Sequence, residues 1–244
     1  IYEDEKTVPT AYLVADPQNV TVTYAETKEV PIENKEKTGS ITVHKTTEGQ
    51  KNIEGIKFYL RGTSDSGRAI DIPATTDKDG IAKFDGVPIG TYMVIEDEET
   101  VPYGYLVADE KEVKVEYAQT IDETILNNEQ TGTVKVHKKT ADMTNVEGIR
   151  FILSGISDTG REIRIEATTD KDGLAKFEGV PVGTYTITED GSTVPYGYLV
   201  ADSKQVTVAY AQTVDTDMVN EKAPDTPNTG VTDNDTDGRT ALCS

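Results

Sequence analysis

A nine-residue segment recurs in this chain at a constant spacing. Residues 101–109, Val-Pro-Tyr-Gly-Tyr-Leu-Val-Ala-Asp, reappear unchanged as residues 194–202, and a variant occupies residues 8–16. Both steps are 93 residues long (194 − 101 and 101 − 8). A period of this length is a whole small domain, whereas a solenoid repeat is only about 20–45 residues long. The repeat therefore predicts a string of similar domains.

The period also sets the expected domain boundaries. Residues 38–130 and 131–222 are predicted to form two complete units. Residues 1–37 match only the C-terminal part of a unit, so we interpret them as a truncated repeat. Residues 223–244 are rich in Asp, Thr, Asn, Pro and Gly, which favours a disordered tail.

Charge and cysteine content exclude several classes of function. The 244 residues carry a formal net charge of −20, which argues against nucleic acid and anionic membrane as partners. Cys243 is the only cysteine, so the sequence offers neither a disulfide framework nor a cysteine-based metal site. It also contains no apolar run long enough to span a membrane.

Each complete unit consists of short alternating segments separated by turn sequences. Ile56, Phe58 and Leu60 alternate with more polar residues, which is typical of a half-buried strand. About seven such segments fit in each unit, and none has a helical period. The sequence therefore predicts an all-β fold made of tandem antiparallel β-sandwiches of the prealbumin-like or immunoglobulin-like kind.

One turn sequence has an alternative interpretation. Residues 77–80, Asp-Lys-Asp-Gly, and their counterpart at 170–173 resemble the start of a calcium-binding loop. An EF-hand loop requires further oxygen ligands and a glutamate at its twelfth position, and the sequence supplies neither. We therefore predict hairpin turns here, with no metal and no cofactor.

A lysine ends the first predicted strand of each unit on its apolar face. Val134, Val136 and Lys138 are alternate residues, so they face the same side of a strand. The valines identify that side as the core. Lys45 stands 93 residues upstream in the same pattern. A lysine in a core is costly unless it has a partner or a function.

A glutamate and an asparagine occupy matching core-facing positions. Glu189 is in phase with Tyr185 and Ile187, and Glu96 lies one period upstream. The last predicted strand of each unit ends in an asparagine, and these asparagines are spaced 93 residues apart. They are Asn34, Asn127 and Asn220. Asn128 does not fit this spacing, and its side chain is expected on the opposite face of the strand.

These three residue types allow two alternatives if they meet in the core. Burial disfavours the charged forms of lysine and glutamate, and a neutral amine is a nucleophile. Lys45 and Asn127 would then form an isopeptide bond with release of ammonia, with Glu96 moving the proton. The other alternative is a buried Lys–Glu ion pair with the asparagine as its hydrogen-bond partner.

The pattern resembles the CnaB (Cna protein B-type, SpaA-like) domains of Gram-positive surface adhesins and pilins. The residues that carry the resemblance in the first unit are Gly39-x-Ile41-x-Val43-x-Lys45, Gly90-Thr91-Tyr92-x-Val94-x-Glu96, Pro102-Tyr103-Gly104-Tyr105 and Asn127. The second unit matches with Lys138, Glu189, Pro195-Tyr196-Gly197-Tyr198 and Asn220. Residues 1–37 retain Glu3 and Asn34 but have no corresponding lysine, and Thr10-Ala11 departs from the Tyr-Gly pattern.

This resemblance implies an intramolecular isopeptide bond in each unit, Lys45–Asn127 and Lys138–Asn220, with Glu96 and Glu189 as the catalytic residues. It implies the same roles for Glu3 and Asn34 in the incomplete unit. Such a reaction is a single self-modification, so the chain is not expected to be an enzyme.

A short segment after the second unit resembles a sortase sorting signal. Thr226-Pro227-Asn228-Thr229-Gly230 follows the usual Leu-Pro-x-Thr-Gly form, with threonine in the place of leucine. Sortase would cleave after Thr229 and join the chain to peptidoglycan or to a pilin subunit. The resemblance thus implies an extracellular protein anchored to the cell wall of a Gram-positive bacterium.

We expect a structural stalk of a surface adhesin or minor pilin, which holds a head segment towards host extracellular matrix or glycan. The alternative is that the repeats themselves bind a host protein or glycan. A large exposed apolar or aromatic patch would favour binding, whereas polar outer faces would favour a spacer.

Overall fold

The computed structural model describes residues 1–51, 53–144 and 146–224. It contains two successive units of seven strands each. The strands of the first unit are β1 (Thr38–Thr47), β2 (Lys57–Ser64), β3 (Ala69–Thr75), β4 (Ile81–Pro88), β5 (Gly90–Glu96), β6 (Lys111–Val115) and β7 (Thr120–Asn127). Those of the second unit are β8 (Thr131–Thr140), β9 (Arg150–Ser157), β10 (Glu162–Thr168), β11 (Leu174–Pro181), β12 (Gly183–Glu189), β13 (Lys204–Val208) and β14 (Thr213–Asn220).

Each unit is a sandwich of a four-stranded and a three-stranded sheet. The first unit has the strand orders β3-β2-β5-β6 and β4-β1-β7, and the second repeats them as β10-β9-β12-β13 and β11-β8-β14. The predicted all-β sandwich fold is therefore confirmed. One pairing differs from a purely antiparallel arrangement, because β1 and β7 run parallel, as do β8 and β14.

The parallel pairing places the ends of the first and last strands side by side. Lys45 lies opposite Ile125, and Thr47 lies opposite Asn127. The other strand pairs in the described part of the chain are antiparallel. A core-facing residue late in β1 is thereby brought next to the end of β7.

The cores follow from the alternation of apolar residues along the strands. In β1, every second residue is buried. The fully buried aromatic residue Tyr92 donates a hydrogen bond from its hydroxyl to the Pro88 carbonyl at 2.8 Å, so its polar end is satisfied. The buried apolar residues that pack together in the first core are Ile41, Val43, Ile56, Phe58, Leu60, Ile70, Ala82, Phe84, Val87, Tyr92, Val94, Val113, Val115 and Ile125.

The Asp-Lys-Asp-Gly segment forms a turn. The Asp77 carboxylate accepts hydrogen bonds from the backbone N–H groups of Asp79 and Ile81, both at 2.9 Å. Gly80 has a φ of +74°, and a Cβ there would lie 2.8 Å from the Lys45 carbonyl oxygen, so only glycine fits beside the lysine strand. Within the described residues, no group of three or more His, Cys, Asp or Glu side chains is placed to hold a metal ion.

Three single-turn 3₁₀ helices complete the described structure, at Glu5–Thr7, Glu98–Thr100 and Gly191–Thr193. None of the helices in the described ranges is long and apolar enough to cross a membrane. Residues 1–37 contain the first of these helices and a bridge between Tyr12 and Glu36. The same bridge recurs one period later between Tyr105 and Glu129 and two periods later between Tyr198 and Lys222.

Candidate functional site

Three strands bring a lysine, a glutamate and an asparagine together inside the first unit. Lys45 projects inward from β1, Glu96 is the last residue of β5, and Asn127 is the last residue of β7. Their exposed fractions are 2%, 7% and 0%. Three polar side chains are thus removed from water at one place beside the apolar core.

The glutamate lies between the other two side chains. Its Oε1 atom is 3.5 Å from Lys45 Nζ, and its Oε2 atom accepts a hydrogen bond from Asn127 Nδ2 at 2.6 Å. The backbone N–H of Ala108 donates a second hydrogen bond to Oε2 at 2.8 Å, which holds the carboxyl group in place. One oxygen of Glu96 therefore faces the amine, and the other faces the amide nitrogen.

The lysine amine is held by backbone carbonyl groups. Nζ donates hydrogen bonds to the carbonyl oxygens of Thr46 at 2.7 Å and of Ile125 at 3.1 Å. Desolvation by burial lowers the pKa of Lys45, and the carboxyl group of Glu96 opposes this shift only in part. Burial thus favours the neutral amine, which is the nucleophilic form of lysine.

Two buried oxygen atoms at this site have no hydrogen-bond partner among the described residues. They are Glu96 Oε1 and Asn127 Oδ1. Glu96 Oε1 has only its 3.5 Å contact with Lys45 Nζ. Buried polar atoms without a hydrogen bond are uncommon in native proteins, and each calls for an explanation such as a catalytic role. Both atoms belong to groups that would change partners if the lysine reacted with the asparagine.

The second unit contains the same arrangement. Lys138 Nζ is 3.6 Å from Glu189 Oε1, and Asn220 Nδ2 donates a hydrogen bond to Glu189 Oε2 at 2.6 Å. Desolvation by burial lowers the pKa of Lys138, again opposed by the glutamate. Glu189 Oε1 and Asn220 Oδ1 also have no hydrogen-bond partner within the described chain. Both units therefore present the same chemistry.

Residues 1–37 contain two of the three partners. Asn34 Nδ2 donates hydrogen bonds to Glu3 Oε2 at 2.6 Å and to the Leu13 carbonyl at 2.8 Å, and the Ala15 N–H donates to Glu3 Oε2 at 2.8 Å. Among the described residues, the hydrogen bonds of Glu3 and Asn34 include no lysine. This segment therefore reproduces the Glu–Asn half of the site.

Backbone groups complete the site, and sequence reasoning did not identify them. Asn127 Nδ2 donates a second hydrogen bond to the Leu106 carbonyl at 2.7 Å, and the Ala108 N–H binds Glu96. Both residues belong to the segment 101–109 that first revealed the repeat. The sequence signal for these backbone groups was that this segment recurs at the same 93-residue spacing as the glutamate and the asparagine.

The segment that resembles a sorting signal lies outside the described residues. It comprises Thr226, Pro227, Asn228, Thr229 and Gly230.

A family comparison identifies both units. A model described as the SpaA prealbumin-like fold domain matches residues 39–130 and again residues 132–222. No curated protein matches the chain.

Solved structures also resemble the chain. The Bacillus anthracis TIE protein aligns over 78% of this chain and 35% of its own, with 25% identity and a TM-score of 0.56. This chain thus spans 35% of the length of the TIE chain. The Streptococcus agalactiae minor pilin GBS52 aligns over 79% of this chain and 99% of its own, with 18% identity and a TM-score of 0.37. The shaft pilin spaA of Lactobacillus rhamnosus GG aligns over 78% of this chain and 100% of its own, with 16% identity and a TM-score of 0.35.

Proposed function

Because the chain belongs to the SpaA family of prealbumin-like fold domains, we propose that its two units are covalently crosslinked spacers in a bacterial surface stalk or pilus. Membership of this family supports a structural role in a pilus or at the cell surface. One observation supports the crosslinks in particular. Each unit buries a lysine, a glutamate and an asparagine in contact with one another, between its first and last strands.

The proposed reaction joins the lysine to the asparagine. The neutral Nζ of Lys45 attacks the side-chain carbonyl carbon of Asn127, a C–N bond forms, the bond to Nδ2 breaks, and ammonia leaves. Glu96 accepts a proton from Nζ through Oε1, 3.5 Å away, and supplies a proton to Nδ2 through Oε2, 2.6 Å away. The glutamate is thereby restored, and no other reactant is required.

A plain ion pair accounts less well for the same geometry. An ion pair in a core gains enough to offset its desolvation only when the geometry is excellent and the remaining polar atoms are hydrogen-bonded. Here Lys45 Nζ makes its shorter contacts with backbone carbonyls, and Glu96 Oε1 has no hydrogen-bond partner in the described chain. The arrangement fits a nucleophile and a proton carrier better than a stabilising salt bridge.

The positions of the two bonded residues give the crosslink a mechanical role. Lys45 lies on the strand by which the chain enters the unit, and Asn127 ends the strand by which it leaves. Since these strands are parallel neighbours, a bond between the two side chains carries tension across the unit without passing it through the hydrogen-bond ladders. We propose the same for Lys138 and Asn220.

We further propose that residues 38–130 and 131–222 are the two spacers. Residues 1–37, with Glu3 and Asn34, are then the C-terminal part of another such repeat. Sortase would act on residues 226–230 and attach the chain to peptidoglycan or a pilin subunit outside the cell.

The exposed aromatic residues fit a spacer better than a binding module. Tyr24, Tyr103 and Tyr196 are 101%, 75% and 104% exposed, but they belong to three different repeats. An interaction surface usually shows a contiguous apolar patch instead. We therefore prefer the spacer to direct binding of a host protein or glycan by the repeats.

A digest of the purified chain tests the proposed bonds residue by residue. We expect tandem mass spectrometry to find two branched peptides, one joining Lys45 to Asn127 and one joining Lys138 to Asn220. Asn128 should occur only in its unmodified form, because it does not share the core-facing position of Asn127. Recovery of linear peptides containing unmodified Lys45 and Asn127 in full yield would contradict the proposal.

A further inference from the structure

A buried glutamate connects the first unit to the second. Glu129 follows Asn127 by two residues, and its side chain is fully buried. Its Oε1 accepts a hydrogen bond from the Thr159 hydroxyl, and its Oε2 pairs with the guanidinium of Arg161. Both partners lie at the turn between β9 and β10 in the second unit, so this carboxylate spans the boundary between the units.

The first unit holds this glutamate from the other side. The Glu129 N–H donates to Glu48 Oε2 at 2.7 Å, and the Glu48 carbonyl accepts a hydrogen bond from the Tyr105 hydroxyl at 3.1 Å. The Lys51 amine donates across the boundary to the Gly160 carbonyl at 2.6 Å. Contacts from two places in the first unit thus converge on one turn of the second.

Backbone hydrogen bonds continue through the same boundary. The Gln130 N–H donates to the Gly104 carbonyl at 2.7 Å, and the Gln130 carbonyl accepts from the Val182 N–H at 2.9 Å. The residue after the glutamate is therefore hydrogen-bonded to both units at once. A connection with this many fixed groups has little freedom to bend, unlike the polar linkers that usually join domains.

The same arrangement occurs one period upstream. Glu36 accepts a hydrogen bond from the Ser66 hydroxyl and pairs with Arg68 at 2.9 Å. The Lys37 carbonyl accepts from the Ile89 N–H at 3.0 Å. Residues 1–37 therefore make the same glutamate–hydroxyl, glutamate–arginine and backbone contacts with the first complete unit. Two instances of one clamp, each with a glutamate, a hydroxyl and an arginine, indicate a built connection.

The two connections differ in sequence at one close contact. A Cβ on Gly104 would lie 2.7 Å from the Thr159 methyl group, so the second connection pairs a glycine with a threonine. The corresponding residues of the first connection are Ala11, which is 4% exposed, and Ser66. Gly104 with Thr159 in the second connection thus corresponds to Ala11 with Ser66 in the first.

The second unit lacks the residue needed to continue the series. The position that holds glutamate at 36 and 129 is Lys222, two residues after Asn220. Lys222 Nζ lies 3.5 Å from Asp142 Oδ2, within its own unit. A lysine here would repel the arginine of any following unit instead of pairing with it.

We infer that the turn between the second and third strands of each unit, β2–β3 in the first and β9–β10 in the second, is a docking surface for a preceding copy of the same repeat. The surface is recognised by the carboxylate two residues after the asparagine of that preceding copy. The clamp fixes the angle between successive units, and Lys222 ends the clamped series. The inference does not depend on the isopeptide bonds, because its contacts lie outside the two crosslinked cores.

Distances between spin labels on the two units test this clamp. In the full chain with Cys243→Ser, the exposed equivalent positions Glu112→Cys and Gln205→Cys carry one label each. We expect a single narrow distance distribution in pulsed electron paramagnetic resonance. Glu129→Lys, which copies the natural lysine at 222, and separately Arg161→Ala should each broaden it and abolish the single peak.

Lys222→Glu is the matched control, since it changes the equivalent position beyond the connection, and it should leave the distribution unchanged. Intact mass of each variant separates this test from that of the crosslinks, which are expected in all of them. A broad distribution in the parent would overturn the inference. So would a narrow distribution in both Glu129→Lys and Arg161→Ala, or broadening by Lys222→Glu.

Discussion

Replacement of Lys45 by methionine should lower the melting temperature of the first unit by roughly 20 to 30 °C. The isopeptide bond would close a loop of 82 residues (127 − 45). By analogy with a disulfide, closing such a loop stabilises the fold by about 4–5 kcal/mol through the unfolded chain. For a domain of this size, about 1 kcal/mol corresponds to roughly 4–8 °C. Differential scanning calorimetry measures the shift.

The second unit supplies the control in the same molecule, because Lys138 and its crosslink are untouched and its transition should stay in place. Methionine fills a volume similar to that of the lysine stem, so a large cavity does not explain a large shift. A first-unit transition within a few degrees of the parent would mean that Lys45 contributes packing alone and that no bond closes the loop.

Under force, the parent chain should show no unfolding step from the segment between Lys45 and Asn127. A covalent bond between these residues prevents the 82 residues from extending (127 − 45). Replacement of Glu96 by alanine removes the proposed proton carrier and leaves the bond unformed. Single-molecule pulling should then show a new step of about 280 Å, at about 3.4 Å per extended residue.

The equivalent substitution, Glu189→Ala, should release a step of the same size from the second unit, and the double variant should show two steps. Asp97→Ala serves as a neighbouring control, since Asp97 lies outside the buried site and should leave the parent trace unchanged. Full extension of both units in the parent would contradict a crosslink that carries tension and would favour the ion-pair alternative.

Much of the fold follows from local patterns. The alternation in β1 places Ile41, Val43 and Lys45 on one face, and that face is buried in the structure. The turn at residues 77–80 follows from its Asp and Gly residues. The parallel pairing of β1 with β7 does not follow, because strands about 80 residues apart in sequence leave no local signal of their partner.

The candidate site, like the fold, is only partly predictable from the sequence. Lysine, glutamate and asparagine are identifiable because a buried polar side chain interrupts an apolar face and recurs at 93 residues. The carbonyl of Leu106 and the N–H of Ala108 complete the site through backbone atoms, which every residue carries and which no pattern of side chains marks. Glu129 was missed because its partners belong to another unit.

Intact mass spectrometry of the purified chain tests the crosslinked-spacer proposal most directly. We expect the parent to be lighter than its formula by two ammonia molecules, one for each unit. Glu96→Ala and Glu189→Ala should each restore one ammonia, and the double variant should have its full formula mass. A parent of full formula mass would contradict the crosslinks and leave Lys45 and Lys138 as ion-paired core residues.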